Sequence, residues 1–495
     1  MPARPTWIFK LGKTSLVLYN IDMSKNIYIT TAIPYVNGAP HIGHVFDYLL
    51  ADTYARYQNK KGNTVRFQAG TDEHGNKIFK KAAENNIPVK EYVDKNSEKF
   101  QEFIEKLGVE NTDFIRTTDK DHERRVQEIW KKLESHIYKD SYEGWYCEGC
   151  ERFVTDNEYE ENNGSCPDHQ KPYEKLEEEN YYLRISDFKD ELKTAIENDI
   201  IKILPDFRKK EMLKLLEDSP DVSISRPKKQ LSWGIPVPGD DSQVMYVWLD
   251  ALSNYITVLG YPDKDISDFW PADVQVVGKD ILRFHSIIWP AILLGLGLPL
   301  PKVLLSHGFV LTNGAKMSKS LGNVVEPLEV LDKYGLPALR YYFLRHADTF
   351  LDADFTWEKY DAAYNNELAN DLGNLVQRLA TLCKKNDING LTEFAPKEDA
   401  EYDAIMSDFY FSKAFDYAWE KVQKINKRID DEKPWALVKE GKNEEAAEVL
   451  KSLVDDLLNV NELLEPFLPD TAKQIKTIFT SAQIVPPAVP LFPKH

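Results

Sequence analysis

The sequence predicts an α/β protein: a parallel-sheet domain split by a small cysteine-bearing insertion and followed by an all-helical third. Three observations lead there. Short β-rich runs alternate with helical ones over residues 26–136 and again from Met245, the pattern of parallel βαβ units. Between them lies a stretch holding three of the four cysteines, with little aliphatic periodicity. After about Pro327 strand signals stop and long amphipathic runs take over, as in a helical bundle.

Residues 1–25 read as an extension. Their first part carries Arg4, Lys10 and Lys13, with Asp22 as its acid, and shows no clear small-residue cleavage site, so a signal or transit peptide is not expected. Met23, just before the first strand, is the expected natural start. Residues 26–141 form the first half of a Rossmann-type domain: a strand at 27–32, a Pro/Gly loop, a helix at 43–60, a strand at 64–69 and a further helix. Residues 142–230 form the inserted module, whose first part is rich in Cys, Glu, Asn, Gly and aromatics. The βα pattern returns over 231–326, with strands at 273–277 and 302–305 and a long apolar helix from Ile281. Residues 327–484 form the helical domain, with helices at 364–385, 411–430 and 444–464. The proline-rich end, 485–495, is expected to be an extended strap, because proline fixes φ and removes a donor.

Composition narrows the function. A chain of 495 residues, 42% hydrophobic and 29% charged, has material for several cores, which excludes global disorder. The net charge of −18 opposes a global basic footprint, so a polyanionic partner must dock on local patches. The longest uncharged stretch, 284–301, contains His285, Ser286, prolines and glycines, so no membrane span or membrane partner is expected. Four cysteines, three of them clustered, suggest a reducing, cytoplasmic compartment and a metal site rather than a disulfide framework.

Three motifs carry chemistry. Pro34-Tyr-Val-Asn-Gly-Ala-Pro-His-Ile-Gly-His44 follows a strand and opens a helix. A helix N-terminus offers unpaired N–H groups and partial positive charge to phosphate, and Gly43 lets a ligand approach the backbone closely. His41 and His44 lie on one side of the first turn, where they can donate to a phosphate whose charge grows in the transition state. Lys316-Met-Ser-Lys-Ser320, framed by Gly314 and Gly322, places Lys316 and Lys319 three apart on a loop able to clamp a triphosphate and then open. Alone, either motif reads as readily as a helix cap or a solvated basic loop. Together they fit two halves of one nucleotide site. The third motif is Cys147-Glu-Gly-Cys150 with Cys166-Pro-Asp-His169, two knuckles that complete a closed and therefore structural Cys₃His zinc site. Cys383, among Leu379, Ala380 and Leu382, reads as buried and inert.

The paired signatures resemble those of the class I aminoacyl-tRNA synthetases. The closer likeness is to the methionyl family, through Ile33-Pro-Tyr-Val-Asn-Gly38, Ala69-Gly-Thr-Asp-Glu-His-Gly75, Tyr246-Val-Trp-Leu-Asp-Ala251 and Val277-Gly-Lys-Asp-Ile-Leu-Arg-Phe-His285. The resemblance covers residues 26–493, and the single zinc knuckle is the bacterial pattern. It implies activation of L-methionine by ATP to methionyl-adenylate and pyrophosphate, then transfer to the 3′-terminal ribose of tRNA(Met). Asp72 matches the carboxylate that holds the substrate ammonium group. Ile33, Tyr35, Trp248, Leu252, Tyr255 and His285 match the side-chain pocket, and aromatic rings suit a polarizable thioether.

By the same resemblance Asp280 accepts from the ribose and, with His41, Gly43, His44, Lys316, Ser318 and Lys319, makes the ATP site. Mg²⁺ accompanies the ATP, and Arg226 supports the reaction. The substrate carboxylate is already a nucleophile, so catalysis is positioning plus charge stabilisation. His41 and His44 would stabilise the pentacovalent phosphate while Lys316 and Lys319 hold the leaving pyrophosphate. Asn374, Arg378 and Trp435 match positions that read the anticodon, which makes the helical third an anticodon-binding domain. A monomer is expected.

Rival readings fit less of the chain. A synthetase for leucine, isoleucine or valine needs a large editing domain, and the interval from His44 to Lys316 has no room for one. A cysteinyl type would use zinc at the amino-acid site, whereas here the ligands are consumed in one closed cluster. A small-molecule nucleotidyltransferase leaves the helical third unexplained. A catalytically silent binding relative conflicts with intact His41, His44, Lys316 and Lys319.

Overall fold

A computed structural model describes residues 24–147, 152–168, 170–316 and 325–494. Six parallel strands form the central sheet in the order Asp113–Arg116, Thr64–Thr71, Asn26–Thr31, Val274–Gly278, Val303–His307 and Lys202–Leu204. Asn26–Thr31 and Val274–Gly278 are buried on both faces, which explains their near-continuous apolar runs. Ile29 lies between Phe67 on one side and Val274 on the other. The strand order reverses between these two central strands, so their carboxyl ends diverge and leave a crevice, the usual ligand position in open α/β sheets. The helix Ile42–Lys60 starts beside that crevice and buries Val45, Phe46, Leu49 and Leu50 on the sheet.

The insertion is built on an antiparallel hairpin of Ile137–Cys147 and Glu174–Leu183, flanked by Arg152–Val154 and Val222–Ser223. Two short strands depart from the sequence reading. Lys202–Leu204, inside the stretch assigned to the insertion, joins the edge of the central sheet by pairing with Val303–Leu305. Ala353–Phe355, in the stretch expected to be all helical, pairs in parallel with Val310–Thr312. At three residues each, they are too short to show a period of two; remote partners create them.

The helical region runs through Tyr364–Gly373, a wide-turned π-type segment that leads directly into Asn374–Lys385, then Phe411–Glu432, Asn443–Leu464 and Pro469–Phe479. Its core is continuous with that of the sheet, extending from Ile27 and Val45 through Phe343 to Trp419 and Leu457. Buried Arg340 ties the two together, pairing with Asp52 of the first helix at 2.7 Å and donating to the Phe467 carbonyl at 2.6 Å. The terminal segment packs back as a strap, with Phe492 buried and the Tyr364 hydroxyl donating to the Pro493 carbonyl at 2.8 Å. Among the described residues no helix is long and apolar enough to cross a membrane.

Candidate active site

A cleft of about 470 Å³ occupies the crevice at the point where the strand order reverses. At one side His41 caps the first helix from an extended conformation. Its Nδ1 accepts from the Gly43 N–H at 3.1 Å, and the Nδ1 of His44 accepts from the His41 N–H at 3.1 Å. This is a capping box made of two histidines in place of Ser and Glu. Because both Nδ1 atoms act as acceptors, the proton of each neutral ring sits on Nε2, turned away from the backbone. The rings lie 3.9 Å apart, and burial followed by the nearby His41 lowers His44 to about 3. The helix start therefore presents uncharged N–H donors.

The opposite end sets a buried carboxylate beside aromatic and aliphatic side chains. Asp72 follows the strand Thr64–Thr71 and is 3% exposed. Its N–H donates to the Pro34 carbonyl at 2.9 Å and its carbonyl accepts from Val36 at 3.1 Å, which joins two strand ends. Ile33, Tyr35, Trp248, Leu252, Tyr255 and His285 all line the cleft beside it. The Nδ1–H of His285 donates to the Ile281 carbonyl at 3.0 Å, so its Nε2 accepts the Tyr255 hydroxyl at 2.7 Å. Burial lowers His285 to about 4 and raises Tyr255, so both rings stay neutral and fixed. Phe284, missed in the sequence reading although it sits next to His285, stacks on Trp248 at 3.7 Å and completes the wall.

Asp280 lies just beyond the strand Val274–Gly278 and faces the cleft. A Cβ added to Gly278 would come within 2.8 Å of an Asp280 carboxylate oxygen, so a larger residue there would make that side chain shift. The described lining includes the carboxylates of Asp47, Asp72 and Asp280 but no lysine or arginine. The described lining also includes His307, a residue the sequence reading missed. Its Nδ1 faces the Gly308 carbonyl at 2.8 Å and its Nε2 faces Asp47 at 2.7 Å. Both nitrogens face oxygen acceptors, an arrangement that favours the doubly protonated ring. Burial opposes that charge, but Asp47 outweighs it and raises the ring above an ordinary histidine.

The remaining expected residues are not among the described lining of the cleft. Lys316 belongs to the short strand Ala315–Lys316, paired with Leu311–Thr312; Ser318 and Lys319 lie outside the described residues. Arg226 does not line the cleft. It is buried over the face of Tyr246 at 3.8 Å and donates to the Ser225 carbonyl at 2.7 Å. Cys147 and Cys166, one from each knuckle, are both buried in one small cluster with Val154 and Tyr173. Cys166 also anchors a tight turn through its N–H to the Lys171 carbonyl at 2.9 Å. Cysteine thiolates are among the donors of structural zinc sites. Cys150 and His169 lie outside the described residues, and the described ones alone hold no metal-ligating group of three or more.

In the helical region Asn374 and Arg378 are one turn apart on Asn374–Lys385, and Arg378 stacks over Trp435 at 5.1 Å. Cys383 is buried on the same helix, where burial pushes its thiol up to about 12.

A class I aminoacyl-tRNA synthetase is the class to which this fold and cleft belong, as the family match shows. Residues 27–175 and 168–380 match the family described as "tRNA synthetases class I (M)". The methionine–tRNA ligase of Caldanaerobacter subterraneus subsp. tengcongensis is 42% identical over 476 residues, 92% of this chain and 74% of that one. That of Thermotoga maritima is 40% identical over 470 residues, 90% of this chain and 74% of that one. The solved structure of Mycobacterium tuberculosis methionyl-tRNA synthetase in complex with methionyl-adenylate has a TM-score of 0.88 at 33% identity, covering 95% of this chain and 100% of that one. The chain belongs to the methionyl-tRNA synthetase family.

Proposed function

We propose that the chain is a methionine–tRNA ligase whose two half-reactions share the switch-point cleft. One observation carries this reading: Asp72 and the Tyr255–His285 pair bound one end of the same cleft whose other end holds the Nε2–H donors of His41 and His44. A methionine anchored at Asp72 by its ammonium group, with its thioether against Trp248, Leu252 and Tyr255, directs its carboxylate along the cleft toward the helix start. A carboxylate oxygen attacks the α-phosphorus of ATP, the bond to the bridging oxygen breaks, and pyrophosphate leaves. The terminal ribose hydroxyl of tRNA(Met) then attacks the carbonyl carbon of the adenylate, and AMP leaves.

His41 and His44 act as neutral donors to the pentacovalent phosphate, so they gain most when its charge develops. Asp280 accepts from the ribose, and Gly43 lets the nucleotide approach the helix. Lys316, Ser318 and Lys319 hold the departing pyrophosphate; bound Mg²⁺ would neutralise part of the same charge. Arg226 acts from beneath by fixing Tyr246, next to the segment that carries Trp248. Cys147, Cys150, Cys166 and His169 would hold one structural zinc that braces the insertion. Asn374, Arg378 and Trp435 form the anticodon-reading patch. The protein works as a cytoplasmic monomer on this reading.

The test is ATP–pyrophosphate exchange with each of the twenty amino acids separately. Exchange with methionine alone is expected. Exchange with a different amino acid would overturn the pocket assignment, and none with folded, zinc-loaded protein would overturn the enzymatic reading.

A further inference from the structure

Behind the methionine pocket lies a buried array that none of the roles above uses. Asp250 is 0% exposed, and its two carboxylate oxygens serve histidines from two different elements. One oxygen meets His74 Nδ1 at 2.7 Å and the other meets His122 Nε2 at 2.9 Å. The second ring nitrogen of His122 meets the Thr257 hydroxyl at 2.7 Å. Burial opposes ionisation of Asp250, but His74 and the His122 hydrogen bond outweigh it and hold the carboxyl down at about 2. Asp250 in turn raises His74 against the effect of its own burial.

The location of these groups gives the array a function. His74 is two residues beyond Asp72, and its backbone N–H donates to the Asp72 carboxylate at 3.3 Å. Its ring is also held against Trp233, 5.5 Å away, whose indole N–H donates to the Glu73 carbonyl at 2.7 Å. Asp250 lies between Trp248 and Leu252, and Thr257 lies two residues past Tyr255. His122 comes from a third element, the helix Lys120–Lys132. A buried ion pair contributes little net stability once desolvation is counted, but it does fix geometry when every oxygen is used. Here the fixed geometry joins the ammonium anchor to the wall that receives the side chain.

We infer that Asp250 is a positioning residue for methionine: by holding His74 and His122 at once, it sets the distance from Asp72 to the Trp248–Leu252–Tyr255 wall and thereby the side-chain length the site accepts. This rests on the methionine-activating reading above and names a specificity determinant for it. Asp250 touches neither substrate; it acts through Asp72 and Trp248. Relaxing the array lets the anchor and wall drift apart, and small misplacements of a bound reactant carry large rate costs.

The experiment is exchange kinetics on the full-length protein with methionine and with ethionine, one methylene longer. Asp250→Asn is expected to raise the methionine KM ~10-fold while the ATP KM stays within ~2-fold, and to narrow the preference for methionine over ethionine. His122 lines no part of the cleft, and so gives an independent pair. His122→Leu should reproduce the effect, and His122→Gln, which keeps a donor for Asp250, should restore near-native values.

Folded Asp250→Asn or His122→Leu with native methionine KM and native ethionine ratio overturns the inference. So do methionine and ATP KM values that rise together, or loss of fold in both variants, since either marks the array as a stability element. If Asp250→Asn alone fails to fold, the His122 pair decides by the same readings. Absence of methionine-dependent exchange in the unmutated protein would instead overturn the underlying functional reading.

Discussion

His285 shows how one side chain is fixed by two hydrogen bonds of opposite sense. The Ile281 carbonyl can only accept, so it forces the proton onto Nδ1, and that leaves Nε2 to be satisfied by the Tyr255 hydroxyl. His41 and His44 use the reverse arrangement, with backbone donors on Nδ1 and the proton on Nε2. The same residue type thus gives a wall whose Nε2 is satisfied by a hydroxyl at one end of the cleft and rings with Nε2–H donors at the other. Replacing Tyr255 by Phe preserves the ring but leaves a buried Nε2 without its donor. The expected cost is about 1–3 kcal/mol of unfolding free energy, the usual penalty for an orphaned buried polar atom, read from urea denaturation. A several-fold rise in methionine KM should accompany it as the freed imidazole shifts, with ATP KM held. Unchanged stability would mean that Nε2 finds another partner.

At the scale of elements, the helix Ile42–Lys60 faces two ways: its first turn meets the cleft, and its middle carries Asp52 into the joint with the helical region. Asp52 is fully buried and pairs with Arg340 at 2.7 Å and with Arg56 at 2.8 Å, while Arg340 also caps the Phe467 and Pro466 carbonyls. Removing one partner strands a buried charge. Asp52→Asn should cost about 3–5 kcal/mol in urea denaturation, and Asp52→Asn with Arg340→Met should cost less than the sum of the two single changes. Additive losses would show that the two residues are not energetically coupled. Elements of this length were legible in the sequence, because long runs show apolar periodicity. Lys202–Leu204 and Ala353–Phe355 were not, being three residues long and defined by partners far along the chain. The site divides in the same way. The helix start at His41 and His44 was legible from its local pattern, and the residues lining the other end of the cleft through a resemblance to a family. The His307–Asp47 pair, 260 residues apart, had no local pattern to reveal it.

Across the whole molecule one continuous core links the sheet that forms the cleft to the helices that carry Asn374, Arg378 and Trp435. The cleft and these three residues share this core but no side chain, since none of the three lines the cleft. Chemistry at the cleft and recognition at the bundle should therefore separate cleanly by mutation. Trp435 is only partly buried, with Arg378 stacked on its ring, which leaves an aromatic surface for a nucleotide base. Loss of one base–aromatic stack costs about 1–3 kcal/mol, roughly 5- to 150-fold in a binding constant at 1.4 kcal/mol per decade. Trp435→Ala should lower kcat/KM for aminoacylation of tRNA(Met) within that range, mostly through the tRNA KM. Methionine-dependent ATP–pyrophosphate exchange measured without tRNA should stay within about 2-fold, because on this reading adenylate formation uses no residue of the helical region. Equal losses in the two assays would place Trp435 in the shared support rather than at the tRNA surface. An unaffected tRNA KM would remove it from recognition altogether.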